Sequence, residues 1–148
     1  MDQPQQIFTI GFTQKSAEQF FEILAQAGVH RVIDVRLYNN SQLAGYTKSR
    51  DLSYFLRSII NVEYMHMPAF APTKQLLNDY KNGDISWQGY ITEYDEILKQ
   101  RQPYMYLQPD VFESACLLCA EPTADQCHRR LAAEYLQSVW PQMQITHL

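Results

Sequence analysis

Short runs of β-branched and aromatic residues alternate along the chain with longer stretches whose apolar side chains recur every three or four positions. The first run, Gln6-Ile7-Phe8-Thr9-Ile10, stops at Gly11 and predicts a strand. Ser16-Ala17-Glu18-Gln19 matches a capping box, in which side chains satisfy the free amides of a helix start. Phe20, Ile23, Leu24 and Ala27 follow at helical spacing, and Gly28 supplies the stop. Val29 to Val35 is β-branched and largely apolar up to Asp34, the pattern of a strand covered on both faces. A polar, aromatic loop is expected from Arg36 to Arg50. Leu52, Phe55, Leu56, Ile59 and Ile60 then make a second helical stripe.

The same alternation continues through the second half. Val62 to Met67 predicts a third strand, Pro68 to Lys74 a connection, and Leu76, Leu77 and Tyr80 a short helix stopped at Asn82-Gly83. Ser86 caps the clearest helix, with Trp87, Tyr90, Ile91, Tyr94, Ile97, Leu98 and Arg101 on one face and Gln102-Pro103 closing it. A regular aromatic stripe of this kind is a core face rather than a platform for stacked bases. Ser114 to Cys119 is a fourth strand, a helix runs from about Thr123 to Val139, and Met143 to Thr146 is a terminal edge strand. Strand and helix in alternation predict an α/β fold with a mainly parallel sheet of about five strands and helices on both faces. No internal repeat and no linker rich in Gly or Ser interrupts it, so residues 1–148 read as one domain.

At 148 residues with 46% apolar content, the chain can bury a core without disulfide staples. Its longest apolar run is too short to cross a bilayer, and Met1-Asp2-Gln3-Pro4-Gln5-Gln6 lacks the basic and apolar regions of a secretion signal. Three cysteines, an odd number, suit a reducing cytoplasm better than a disulfide framework. The net charge of −4 disfavours broad nucleic-acid binding. Charge is uneven, however: Arg31, Arg36, Lys48, Arg50 and Arg57 face only Asp34 and Asp51 within 30–57. A small basic zone on an acidic protein suits a compact anionic ligand, although a solvated mixed surface explains it as well.

Ligands of parallel α/β sheets sit beyond the carboxyl ends of the strands. That rule selects Gly11-Phe12-Thr13, Asp34 to Ser41, His66, and Cys119 to Arg130. In the last group, Thr123-Ala124-Asp125-Gln126 matches a second capping box and would place Cys127 in a first helical turn. Free amides, the helix dipole, Arg129 and Arg130 would there favour a thiolate. Cys116 lies inside an apolar strand and reads as core. Cys116-Leu117-Leu118-Cys119 has C-x-x-C spacing, but strand geometry puts the two sulfurs on opposite faces, which removes it as a redox or zinc motif. Arg36 suits a carboxylate or phosphate as a planar fork; equally, it suits a structural pair with Asp34, which shares its strand face, or with Glu121. No glycine-rich dinucleotide or P-loop motif, metalloprotease motif or nucleophile elbow occurs. His30 and His147 read as surface residues.

Thr9-Ile10-Gly11-Phe12-Thr13 with Phe20 and Leu24, Ile33-Asp34-Val35-Arg36, Tyr64 to Pro68, and Leu118-Cys119-Ala120-Glu121 with Cys127-His128-Arg129 together resemble the DUF488 family. The similarity spans nearly the whole chain, in order. It implies a Rossmann-like three-layer α/β domain of prokaryotic cytosolic proteins, without assigning a reaction. Two departures stand out: Thr13 occupies the family's usual Ser position, and Tyr38-Asn39-Asn40-Ser41-Gln42 lacks the usual proline.

The leading expectation is an enzyme-like pocket in which Arg36 and Arg129 hold an anionic group, with Gly11, Thr13, Asp34, Ser41 and His66 around it. Cys127, together with Cys119, would be nucleophile or redox thiol, and His128 or Glu121 the proton carrier. The ligand would be a small anion of phosphate or nucleotide type, a nucleic-acid end included; no cofactor and no membrane partner are expected. A non-catalytic binding or regulatory module could use the same pocket. A zinc site from Cys119, Cys127 and His128, with Glu121 as a fourth ligand, ranks last. Its C-x7-C-H spacing is unlike structural zinc fingers, and adjacent ligands are awkward on one helix.

Overall fold

The computed structural model describes residues 3–39, 45–121 and 124–148. Ser41, one of the expected ligand residues, and Thr123, the expected cap, lie outside them. Five parallel strands form one sheet: β1 (Gln6–Gly11), β2 (Arg31–Asp34), β3 (Glu63–His66), β4 (Ala115–Cys119) and β5 (Gln144–His147), in the order β3-β2-β4-β1-β5. The helices are α1 (Ala17–Ala27), α2 (Ser49–Ile60), α3 (Lys74–Lys81), α4 (Trp87–Arg101), the one-turn α5 (Pro109–Phe112) and α6 (His128–Val139). Among the described residues, no helix is long and apolar enough to cross a membrane.

Alternation along the strands divides the core in two. Phe8, Ile10, Val32, Cys116 and Leu118 face one way and pack under α1 and α2 through Phe20, Phe21, Leu24, Leu52 and Leu56. Ile7, Ile33, Leu117 and Cys119 face the other way, under α4 and α6 through Tyr90, Tyr94, Leu98, Ala132, Ala133 and Leu136. The result is the expected three-layer α/β fold. Cys116 and Cys119 do lie on opposite faces of β4, as period-two geometry requires.

Local signals set several boundaries. Ser16 and Gln19 form the capping box of α1, and Gly28 ends it with φ 75°, a left-handed conformation that glycine adopts without strain. Ser86 caps α4 through the Gly89 amide. The strands at β2 and β3 are shorter than the apolar runs that announce them. Ile59, expected in the stripe of α2, is exposed.

The start of α6 differs most from expectation. The helix begins at His128, not near Thr123, and Cys127 is its N-cap in extended conformation, φ −129° and ψ 139°. Ala124 to Gln126 form a turn, closed by the Cys127 amide on the Ala124 carbonyl. Tertiary contacts override the local capping signal: Cys127 and His128 are both buried at the end of the sheet.

Candidate functional site

The carboxyl ends of β1, β2 and β4 converge on a cavity of about 330 Å³. Phe12 follows β1, Arg36 and Tyr38 follow β2, and Cys119 ends β4; Cys127 and His128 close it from the start of α6, and Pro72, Leu77, Tyr80 and Tyr90 form its far wall. Backbone bonds continue past the strands and hold this rim together. The Phe12 amide donates to the Cys119 carbonyl, the Val35 amide to Leu118, and the Thr13 amide and hydroxyl both to Ala120. On the opposite wall, the Tyr94 hydroxyl donates to the Phe70 carbonyl at 2.7 Å and Arg101 to those of Ala69 and Ala71, which fixes the turn before Pro72.

The reactive groups sit on the floor. The ligating atoms of Cys119, Cys127 and His128 all lie within 4.8 Å of one another. His128 Nε2 is 2.7 Å from the Val35 carbonyl, which only accepts, so that nitrogen carries a proton, and in the neutral ring the lone pair is on Nδ1. The Cys119 sulfur lies beside the ring, 3.5 Å from Nδ1 and 4.0 Å from Nε2. The Cys127 thiol donates to Cys119 and thereby pulls the Cys119 thiol below its ordinary range; burial opposes this, while the Ala120 amide and Arg129 reinforce it. Cys127 moves the opposite way, raised well above the ordinary value because it gives its hydrogen bond to Cys119 and is buried. Cys116, buried on the far face, is raised by burial.

Arg36 is held against Asp34 by two parallel hydrogen bonds, Nε to Oδ1 at 2.9 Å and Nη2 to Oδ2 at 2.8 Å. Nη2 also donates to the Thr47 carbonyl at 2.6 Å, and the guanidinium lies 5.4 Å from the centre of the Phe12 ring. Its remaining nitrogen, Nη1, is buried and has no hydrogen-bond partner among the described residues. A buried donor left unmade carries a cost that a ligand could remove. Tyr64 donates to Asp34 Oδ2 at 2.6 Å; burial, with the Asp34 carboxylate beside it, keeps that hydroxyl protonated far above its ordinary range. His66 Nε2 donates to the Arg36 carbonyl at 2.9 Å.

The described residues among those expected at the site fall into three groups. Arg36, Cys119, Glu121, Cys127 and His128 line the cavity, whereas Asp34 and His66 stand behind Arg36 and orient it. Arg129 does not line the cavity. It is fully buried, with Nε on Thr9 Oγ1 at 3.2 Å and Nη1 on the Glu121 carbonyl. Thr13 binds the loop after β4, and Gly11 makes room for it: a Cβ there would lie 1.5 Å from the Glu121 oxygen. Tyr64 and the Val35 carbonyl escaped the sequence reading. Tyr64 could have been found from its place on the strand beside Asp34, but a backbone carbonyl leaves no mark in a sequence.

The DUF488 family model, a domain of unknown function, matches residues 16–136. The chain belongs to the DUF488 family. Comparison with curated proteins and with solved structures gives no match. The matched DUF488 region holds Arg36, Cys119, Cys127 and His128, so the floor of the cavity lies within it, while Phe12 on the rim precedes it.

Proposed function

We propose that the cavity binds a small anionic ligand and acts on it through a cysteine thiol, with Cys119 as nucleophile and His128 as its base. The observation that carries this reading is the contact of the Cys119 sulfur with the His128 ring, 3.5 Å from Nδ1 and 4.0 Å from Nε2, with Nε2 held 2.7 Å from the Val35 carbonyl. A base oriented by a third group beside a nucleophile is the arrangement that nucleophilic catalysis needs. Cys127, expected from sequence to lead, is assigned the second role: it donates to Cys119 and favours the thiolate there. The unpartnered Nη1 of Arg36 is the group that would take the anion, as one more charge-assisted hydrogen bond. The reading takes a reducing compartment such as the cytoplasm as its setting, where three free thiols remain free.

Charge-matched alkylation tests both halves. Iodoacetate and iodoacetamide carry the same reactive carbon, and only the first is an anion. Cys119 should be modified first by either reagent, with iodoacetate gaining on iodoacetamide relative to free cysteine, and phosphate should compete with iodoacetate. Equal, slow labelling of all three cysteines overturns the nucleophile. Fast labelling of Cys119 without preference for the anion, and without protection by phosphate, overturns the anion half alone.

A further inference from the structure

We propose that Cys119, Cys127 and His128 form a site for one thiophilic metal ion, zinc above all, with the fourth coordination position open to the cavity. The proposal goes beyond the thiol reading and does not depend on it. Zinc holds sulfur at about 2.3 Å and nitrogen at about 2.0–2.1 Å, so a tetrahedral ion spaces a sulfur and a nitrogen ligand about 3.5 Å apart. Cys119 Sγ and His128 Nδ1 are 3.5 Å apart, and the Cys127 sulfur lies within 4.8 Å of both. The three donors are thus close enough to share one ion once the His128 ring turns, because the Cys119 sulfur, also 4.0 Å from Nε2, stands beside the ring and not on the Nδ1 lone-pair axis.

The imidazole is prepared in the way metal-bound histidines are. Such a ring donates its other N–H to a carbonyl or carboxylate, which fixes the tautomer and turns the free lone pair toward the ion. His128 does this through Nε2 to the Val35 carbonyl, and the Tyr94 ring packs 5.8 Å away.

Adjacency of Cys127 and His128 would be awkward on a helix, where successive side chains point about 100° apart. The structure removes that difficulty. Cys127 stands outside the helix, in extended conformation, and His128 is the first helical residue, so the two neighbours converge on Cys119 instead of diverging.

Three protein donors lining a cavity leave one position for water or a ligand, which is the pattern of open zinc sites rather than closed structural ones. Charge balances as well: two thiolates and a neutral imidazole neutralise a dication. Each Zn²⁺ that binds replaces two thiol protons, and these are released to solvent. An ion so held would keep the Cys119 sulfur from attacking a ligand. The metal-free and metal-loaded proteins are then two chemically distinct states of one cavity.

Reduced, metal-free protein titrated with Co²⁺ under nitrogen tests the site. One equivalent should produce the intense visible bands of tetrahedral cobalt with a sulfur-to-cobalt charge-transfer band, and one equivalent of Zn²⁺ should abolish both. Cys116→Ser should keep the spectrum; Cys119→Ser, Cys127→Ser and His128→Ala should each weaken or lose it. Zn²⁺ should also protect Cys119 and Cys127 of the unaltered protein from iodoacetamide, a readout that needs no variant to fold. A pale octahedral spectrum, or unchanged labelling with zinc present, overturns the proposal. Rapid labelling of metal-free Cys119 beside either result leaves the thiol reading standing, so the two fail separately.

Discussion

Asp34 and Arg36, two residues apart at the end of β2, meet through two parallel hydrogen bonds of 2.9 and 2.8 Å with both side chains withdrawn from water. Geometry of this quality is what lets buried charges coexist, because each would be costly alone. Arg36→Ala removes one partner and leaves the carboxylate with Tyr64 and the Arg36 amide. The expected loss is about 3–5 kcal/mol in urea denaturation. Tyr64→Phe, which deletes one hydrogen bond to the same charge, should lose about 1.5–3 kcal/mol. A change below 1 kcal/mol in either case, on the order of an exposed pair, would show that water reaches the carboxylate.

Gly11 predicts a steric failure. A methyl group added there collides with the Glu121 carbonyl and sits 2.7 Å from Arg129 Nη1. Gly11→Ala should therefore cost about 1–3 kcal/mol or more, as overpacking does. Because Glu121 lies two residues after Cys119, the same variant should change the rate at which Cys119 is alkylated. Thermal unfolding alongside labelling reads both, and unchanged values for both would contradict the close approach.

The three thiols should separate with pH. Cys119 is lowered by the hydrogen bond from Cys127, so its labelling in metal-free protein should persist below the ordinary thiol range near about 8.5. Cys116, raised by burial, should remain unlabelled until the protein unfolds. Cys127→Ala removes the donor and should move the labelling profile of Cys119 to higher pH. A profile that stays in place would place the cause of the shift elsewhere.

His147 gives a pH dependence of stability with a definite sign. Its Nδ1 lies 2.6 Å from the Thr9 hydroxyl, and burial, with Arg129 and Arg130 nearby, lowers its affinity for a proton. The unfolded chain therefore takes up the proton first. Stability should fall as pH drops through about 6.5 and should gain nothing further from this group above that value. His147→Gln should flatten that part of the curve in chemical denaturation from pH 5 to 8; an unchanged slope would assign it to another group.

Much of this molecule is written locally. Alternating runs give the strands, and the β-branched residues around Asp34 announce a strand covered on both faces. The C-x-x-C of β4 can be set aside because its sulfurs must point apart. What resists a sequence reading is direction. His128 and Arg129 are neighbours with equal claims on the ligand, yet a rotation of about 100° sends one into the cavity and the other against Thr9. The start of α6 resists for a related reason: Thr123 and Gln126 supply a sound capping pattern, and only the packing of Cys127 against the sheet moves the helix onward.

The sheet order has a consequence for how the protein comes into being. Of the five strands β1 is synthesised first, but neither of its neighbours is close behind it: β4 begins at Ala115 and β5 at Gln144. β2 and β3 can pair as soon as they emerge, while β1 waits with both edges bare until β4 emerges at Ala115. Slow, non-local pairing of this kind exposes strand edges to other chains. Arg36, just after β2, and Cys119, at the end of β4, are strangers for the same interval. The cavity is therefore among the last features to form, and a chain stopped before residue 115 would hold one half of its chemistry and none of its floor.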